Sequence, residues 1–134
     1  MSEAEQIVDT FLAMWARPGG FADAIRRYFT DATVYENIGM SKTTGIAEGV
    51  ALAEQFTGET PGAVIKVETL RSAANGSVVM NERIDSIVDG DGNVQMALAV
   101  MGVFEVEGGK ITGWRDYFDT AGFFAKMAAD SAAG

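Results

Sequence analysis

Three short segments carry the side chains with the means to do chemistry. In Asn81-Glu82-Arg83-Ile84-Asp85, the two-residue period of a strand puts Val79, Asn81, Arg83, Asp85 and Ile87 on one face, so a guanidinium and a carboxylate are neighbours. The other face carries Val78, Met80, Glu82, Ile84 and Val88 and is also largely apolar. A strand apolar on both sides is expected to be covered on both, which leaves Arg83 and Asp85 partly buried and in need of partners. By itself that pair reads first as a core ion pair. In Trp114-Arg115-Asp116-Tyr117-Phe118-Asp119, Asp116 shares a face with Trp114 and Phe118, and two large aromatics strip water from the carboxylate between them and raise the cost of its charge. In Tyr35-Glu36-Asn37, a hydroxyl and an amide project from the same side and can hold a water between them. An aspartate tied to a backbone donor and an ordinary strand-to-loop segment are the plainer readings of these two.

What the chain lacks narrows the chemistry further. It has 134 residues with no His and no Cys, which excludes a Ser-His-Asp triad, a histidine base, a thiolate nucleophile, a disulfide and the usual zinc sites. Any catalysis falls to carboxylates, Tyr, Arg, Lys or amides. Ten Lys and Arg face 19 Asp and Glu, for a formal net charge of −9. With no basic patch anywhere in the sequence, neither nucleic acid nor an anionic membrane face is an expected partner. The longest apolar runs fall far short of the roughly 20 residues of a membrane span, and the N-terminal residues are acidic, so a cytoplasmic location is expected. The run Asp89 to Asn93 resembles the start of a calcium loop, but Val94 stands where that loop needs Gly and Val100 where it needs Glu. It reads as a hairpin turn.

The elements that must hold these residues follow from periodicity. Ser2 and Glu5 form a capping-box pattern ahead of Ile7, Val8, Phe11, Leu12 and Trp15 at helical spacing, ended by Pro18-Gly19-Gly20. A second helix fits Phe21 to Phe29, a short strand Thr33 to Tyr35, and a third helix Ile46 to Phe56. From Ala63 onward the period is two, with strands at 64–73, 77–88, 95–106 and 110–118 separated by Asn75-Gly76, Asp89 to Asn93 and Gly108-Gly109. A helical pattern around Phe123, Phe124 and Met127 closes the chain, with Ala128 to Gly134 expected to fray. Helices followed by a meander of long strands predict a single α+β domain over 1–134, its helices covering one face of a curved sheet around a cone-like interior.

Taken together, Tyr-x-Asn, Arg-x-Asp and Trp-Arg-Asp-Tyr-Phe-Asp resemble the limonene-1,2-epoxide hydrolase family, small enzymes of the NTF2-like (SnoaL-like) fold. The stretch Gly109-Lys110-Ile111-Thr112-Gly113-Trp114-Arg115-Asp116-Tyr117-Phe118-Asp119 is the most specific part, and Gly102-Val103-Phe104 is similar as well. The resemblance departs after Asn37, where Ile38-Gly39-Met40-Ser41 replaces a proline-containing stretch. It implies an NTF2-like cone, a mixed sheet wrapped over the N-terminal helices and enclosing a deep apolar pocket, that takes a small apolar epoxide and water, uses no cofactor or metal, and forms a homodimer. By the same resemblance Asp116 is the general base for a water also held by Tyr35 and Asn37, Asp85 is the general acid toward the epoxide oxygen, and Arg83 bridges the two carboxylates. Elementary chemistry agrees, because hydrating an epoxide at neutral pH needs one ionised and one protonated carboxyl together. Two rivals share the fold. A ketosteroid-isomerase-like enzyme needs an oxyanion hole of Tyr and protonated Asp, for which the first helix offers no Tyr. A non-catalytic small-molecule-binding module would make the polar clusters structural.

Overall fold

The capping box at Ser2 is present: its hydroxyl accepts from the Glu5 N–H at 3.1 Å, and the Glu5 carboxylate accepts in return from the Ser2 N–H. The computed structural model describes residues 1–58 and 60–133. Its elements are α1 (Glu3–Ala13), a 3₁₀ turn (Met14–Ala16), α2 (Gly20–Tyr28), β1 (Phe29–Asn37), β2 (Ser41–Thr44), α3 (Gly45–Thr57), β3 (Val64–Asn75), β4 (Val78–Val88), β5 (Val94–Glu107), β6 (Lys110–Tyr117) and α4 (Thr120–Ala133). The six strands form one sheet in the order β2-β1-β6-β5-β4-β3, with β1 parallel to β6 and every other pair antiparallel. It is an α+β architecture, as the periodicity predicts.

Three expectations are corrected. The first strand runs from Phe29, well before Thr33, and β2 pairs with it through Asn37↔Ser41, although the polar Ser-Lys-Thr-Thr of β2 has no apolar alternation to announce a strand. The tail expected to fray is helical as far as Ala133, since alanine, the best helix former, makes up most of it; Gly134 lies outside the described residues. The outer face of β4 is only partly covered: Met80 is 50% exposed there, Val78 and Ile84 are half-buried and only Val88 is buried. The hairpin expectations hold. Gly108 and Gly109 both take positive φ, the backbone of a two-residue turn that other residues resist. In the Asp89 turn the carboxylate accepts from the Asp91 and Asn93 N–H groups.

Register slips at Thr69/Arg71, Ile87/Val88, Glu105/Val106 and Phe29/Val34 mark bulges that bend the sheet around the helices. The fully buried Phe11 of α1 is central to the core inside that bend. Its ring centroid lies 5.3 Å from Trp114, 6.0 Å from Phe29 and 6.3 Å from Phe104. Among the described residues no helix is long and apolar enough to cross a membrane. Because Phe11 seats α1 on the strands that carry Trp114 and Phe104, Phe11→Ala is expected to cost about 3–5 kcal/mol in urea denaturation. A loss below about 1 kcal/mol would show that α1 is not the keystone of this core.

Candidate active site

Sheet register sets members of all three segments in two adjacent rows, with Arg83 and Asp85 following on β4. Across β1, β6, β5 and β4, Tyr35, Trp114, Phe104 and Val79 are paired in one row, and Asn37, Asp116, Gly102 and Asn81 in the next. The parallel pairing of β1 with β6 therefore does what no local pattern could, setting Tyr35 beside Trp114 and Asn37 beside Asp116. The Tyr35 and Trp114 rings stack at 3.8 Å with an interplanar angle of 5°. Three residues of the first row are aromatic, and three of the second are polar, with Gly102 between Asp116 and Asn81.

Arg83, 0% exposed, lies at the centre. Its Nε donates to Asp85 Oδ1 at 3.1 Å, and its Nη2 donates to Asp85 Oδ2 and Asp116 Oδ2, both at 2.8 Å. Its Nη1 donates to Asp116 Oδ1 at 3.2 Å and to Asn81 Oδ1 at 2.9 Å. The guanidinium stands 5.7 Å over the Phe104 ring, whose face favours a cation. Asp116, 4% exposed, also accepts from the Trp114 indole Nε1 at 2.7 Å. Asp85, 9% exposed, receives the two bonds from Arg83 and no other among the described residues. The Tyr35 hydroxyl points at Asn37 Oδ1 at 3.5 Å, and Asn37 Nδ2 donates to Ser41 Oγ at 3.0 Å.

Burial lifts the Asp116 carboxyl above the ordinary aspartate range, against the opposing pull of Arg83 and, more weakly, of the Trp114 N–H. Burial works to lower the affinity of Arg83 for its proton, but Asp116 and Asp85 more than offset it and hold the guanidinium charged. Burial, then the Asp116 charge, keep the Tyr35 phenol protonated. Asp85, Asp116, Tyr35 and Asn37 share the lining of one cavity with Trp15, Phe21, Phe56, Phe118 and other apolar groups, and its free volume is about 40 Å³. That is room for about one water. A second cavity of about 320 Å³ shares its Phe56 and Ile87 walls and is otherwise lined by Met40, Ser41, Leu52, Gln55, Met96, Phe123 and Met127.

All five residues singled out in the sequence thus sit in one constellation. Sequence reasoning missed four others: Trp114 as a donor, Ser41 behind Asn37, and Asn81 and Gly102 beside Arg83. Gly102 had a readable signal, since a glycine inside a strand marks a close approach. Asn81 had one in its place two residues from Arg83 on the same face.

The family model described as limonene-1,2-epoxide hydrolase catalytic domain matches residues 2–129. The chain belongs to this family. It is similar to epoxide hydrolase EphG of Mycobacterium tuberculosis, 38% identical over 102 residues, an alignment that covers 76% of this chain and 65% of that protein. The chain therefore spans a little under two thirds of the length of that relative. Among solved structures it is similar to an M. tuberculosis LEH-like epoxide hydrolase, at 31% identity and a TM-score of 0.72, covering 98% of this chain and 93% of the other. A polyketide-cyclase-like protein from Xanthomonas campestris has the same TM-score at 18% identity, covering 92% and 96%. An NTF2-like protein from Cytophaga hutchinsonii gives 0.68 at 18%, covering 90% and 94%. The fold is NTF2-like.

The raised affinity of Asp116 for its proton fixes the sign of a pH effect. A carboxyl harder to ionise in the folded chain than in the unfolded one adds stability at low pH, and that contribution is lost as pH rises from about 4 through its folded value. Relative to Asp116→Asn, which cannot titrate there, the wild-type Tm is expected to fall over that window. A gap that stays constant or widens with pH would contradict the buried-carboxylate assignment.

Proposed function

We propose that the catalytic unit, a single domain over 1–134, is a cofactor-independent epoxide hydrolase. It adds water to an apolar epoxide in one step to give a vicinal diol. The observation that carries this reading is a pair of carboxylates held on one buried guanidinium, both lining the cavity that Tyr35 and Asn37 also line. Membership of the limonene-1,2-epoxide hydrolase family supports it independently.

A water in the small cavity has its four hydrogen-bonding positions accounted for. It donates one proton to Asp116 and the other to Asn37 Oδ1, accepts from the Tyr35 hydroxyl, whose one proton turns to it from the long 3.5 Å contact with Asn37, and keeps one lone pair for the epoxide carbon. Ser41 holds the Asn37 amide so that its oxygen faces that water. Asp116 is the general base, and its elevated proton affinity brings it nearer the operating pH, where a base is most effective. Three side-chain N–H bonds converge on Asp116 and two on Asp85. The two carboxyls act as one coupled pair on a shared guanidinium, with Asp85 as the general acid toward the epoxide oxygen and Arg83 bridging the two.

The substrate's apolar body takes the aromatic walls and, with Phe56 displaced, reaches the larger methionine-rich cavity, so the two spaces together make the deep pocket. Methionine suits such a wall because it repacks around varied shapes. A second copy of the chain covers the outer face of the sheet, where Met80, Met101 and Tyr117 are about half exposed, to form a homodimer.

Incubation with limonene oxide, cyclohexene oxide and a bulkier lipid epoxide is expected to yield diol from at least one. Asp85→Asn and Asp116→Asn are each expected to lose at least a hundredfold in kcat with unchanged circular dichroism. A single turnover in oxygen-18 water should place label directly in the diol; label appearing first in the protein would rule out the one-step route. Arg83→Ala, by leaving buried carboxylates uncompensated, is expected to cost about 3–5 kcal/mol of stability as well as turnover, and near-normal activity would overturn the bridge.

A further inference from the structure

The guanidinium has five N–H donors, and the five bonds made by Arg83 use all of them: two on Asp85, two on Asp116, one on Asn81. Asn81, 1% exposed, is on the same strand face and takes the one N–H that neither carboxylate receives. Since Nη1 can only donate, the Asn81 oxygen must face it, which leaves the amide Nδ2 buried with no hydrogen-bond partner among the described residues. An amide kept in a core with half its polar groups unmatched is costly as a structural device. Beside it, Gly102 occupies the position between Asn81 and Asp116 in the same row. A Cβ there would collide with Arg83 Nη1 and stand 2.8 Å from Asp116 Oδ1 and 2.9 Å from Asn81 Oδ1. The backbone φ of Gly102 is not positive, so glycine is needed at this point for space alone. None of Asn81, Arg83 and Gly102 lines the cavity; they stand behind the carboxylates.

We propose that Asn81 and Gly102 are positioning residues for the carboxylate pair: Asn81 pins the Nη1 edge of Arg83, and the missing side chain at Gly102 is the notch through which that edge reaches Asp116. Neither touches substrate. They fix the plane of the guanidinium, and through it the distance and angle at which Asp85 and Asp116 face the reacting atoms. In epoxide hydration, on which this role rests, a displacement of about 1 Å costs up to roughly a hundredfold.

Asn81→Ala separates this role from a structural one, because it removes the unpartnered Asn81 NH2 with its two N–H groups while freeing one N–H on Arg83, and so is expected to leave Tm little changed. The expected result is a kcat lowered about 10- to 100-fold with KM within twofold, and Gly102→Ala is expected to show the same division. An unchanged kcat in Asn81→Ala overturns the proposal, as does a rise in KM alone, or a loss of activity that disappears when expressed per folded molecule. Nitrogen-15 NMR of arginine-labelled protein supplies a readout independent of turnover. In the wild type the Nη protons of Arg83 should be resolved by hindered rotation, and in Asn81→Ala they should merge. Merging with no diol formed by the wild type supports the positioning and rejects the epoxide reading; diol formation with Nη resonances unmoved rejects the positioning.

Discussion

A guanidinium with no access to water has to be neutralised and hydrogen-bonded on every edge, and the position of Arg83 makes that demand on the whole inner face of the sheet. Taking an ion of this size out of water carries an effective penalty of several kcal/mol, and Coulomb attraction repays it only with near-ideal geometry. The geometry here comes from three strands. Asp85 and Asn81 come from β4 itself, and Asp116 comes from β6. Between them β5 contributes a glycine where any side chain would break the contact. Phe104, in the neighbouring row of β5, lays its ring under the cation. The antiparallel register of β4, β5 and β6 is thus specified twice, by apolar alternation and by the five acceptors around one side chain.

Trp114 links that charge to the rest of the core. One face of its ring is against Tyr35 and another ring, Phe104, stacks 5.2 Å away, while Phe11 and Trp15 approach within 5.5 Å from the helical layer. Its N–H is the third donor on Asp116. The residue that fixes the orientation of the Tyr35 ring therefore also fixes one oxygen of the carboxylate that would share a water with the Tyr35 hydroxyl. Movement of α1 would reach both through the same indole, so helix packing and site geometry cannot vary independently.

This division explains what could be read from the sequence. A period of two tells which face a residue takes, so Arg83 with Asp85, Asp116 between Trp114 and Phe118, and Tyr35 with Asn37 were all legible one strand at a time. Which strand lies beside which is set by non-local packing, and the parallel pairing of β1 with β6, which seats Asn37 next to Asp116, has no local signature. The strand β2 was hidden because Ser41 to Thr44 pairs without burying an apolar face. Asn81 and Gly102 carried local signals, but what an acceptor and an absence of side chain do there becomes clear only once the guanidinium they surround is known to reach from β4 across β5 to β6. The outer face of β4 misled because its methionine and isoleucine read as core, and burial there is only partly provided within one chain.

The composition acquires its meaning from the same centre. With no imidazole to take or release a proton near neutrality, a push and a pull have to come from groups that are alike, and two aspartates in one environment would ordinarily share one behaviour. Their surroundings here are unlike, with three N–H donors on the more deeply buried Asp116 and two on Asp85. In the proposed reaction Asp116 begins ionised and ends protonated, while Asp85 does the reverse, so the charge of the pair with Arg83 is zero before and after. No net charge is created in a cavity that holds about one water; a negative charge moves from one side of a fixed guanidinium to the other, staying within 2.8 Å of the same Nη2. A buried arginine is costly as a purely structural element, but in the proposed reaction its two bonds to each aspartate would stabilise the charge in both end states, leaving the barrier to be set by how well the water and the epoxide are placed.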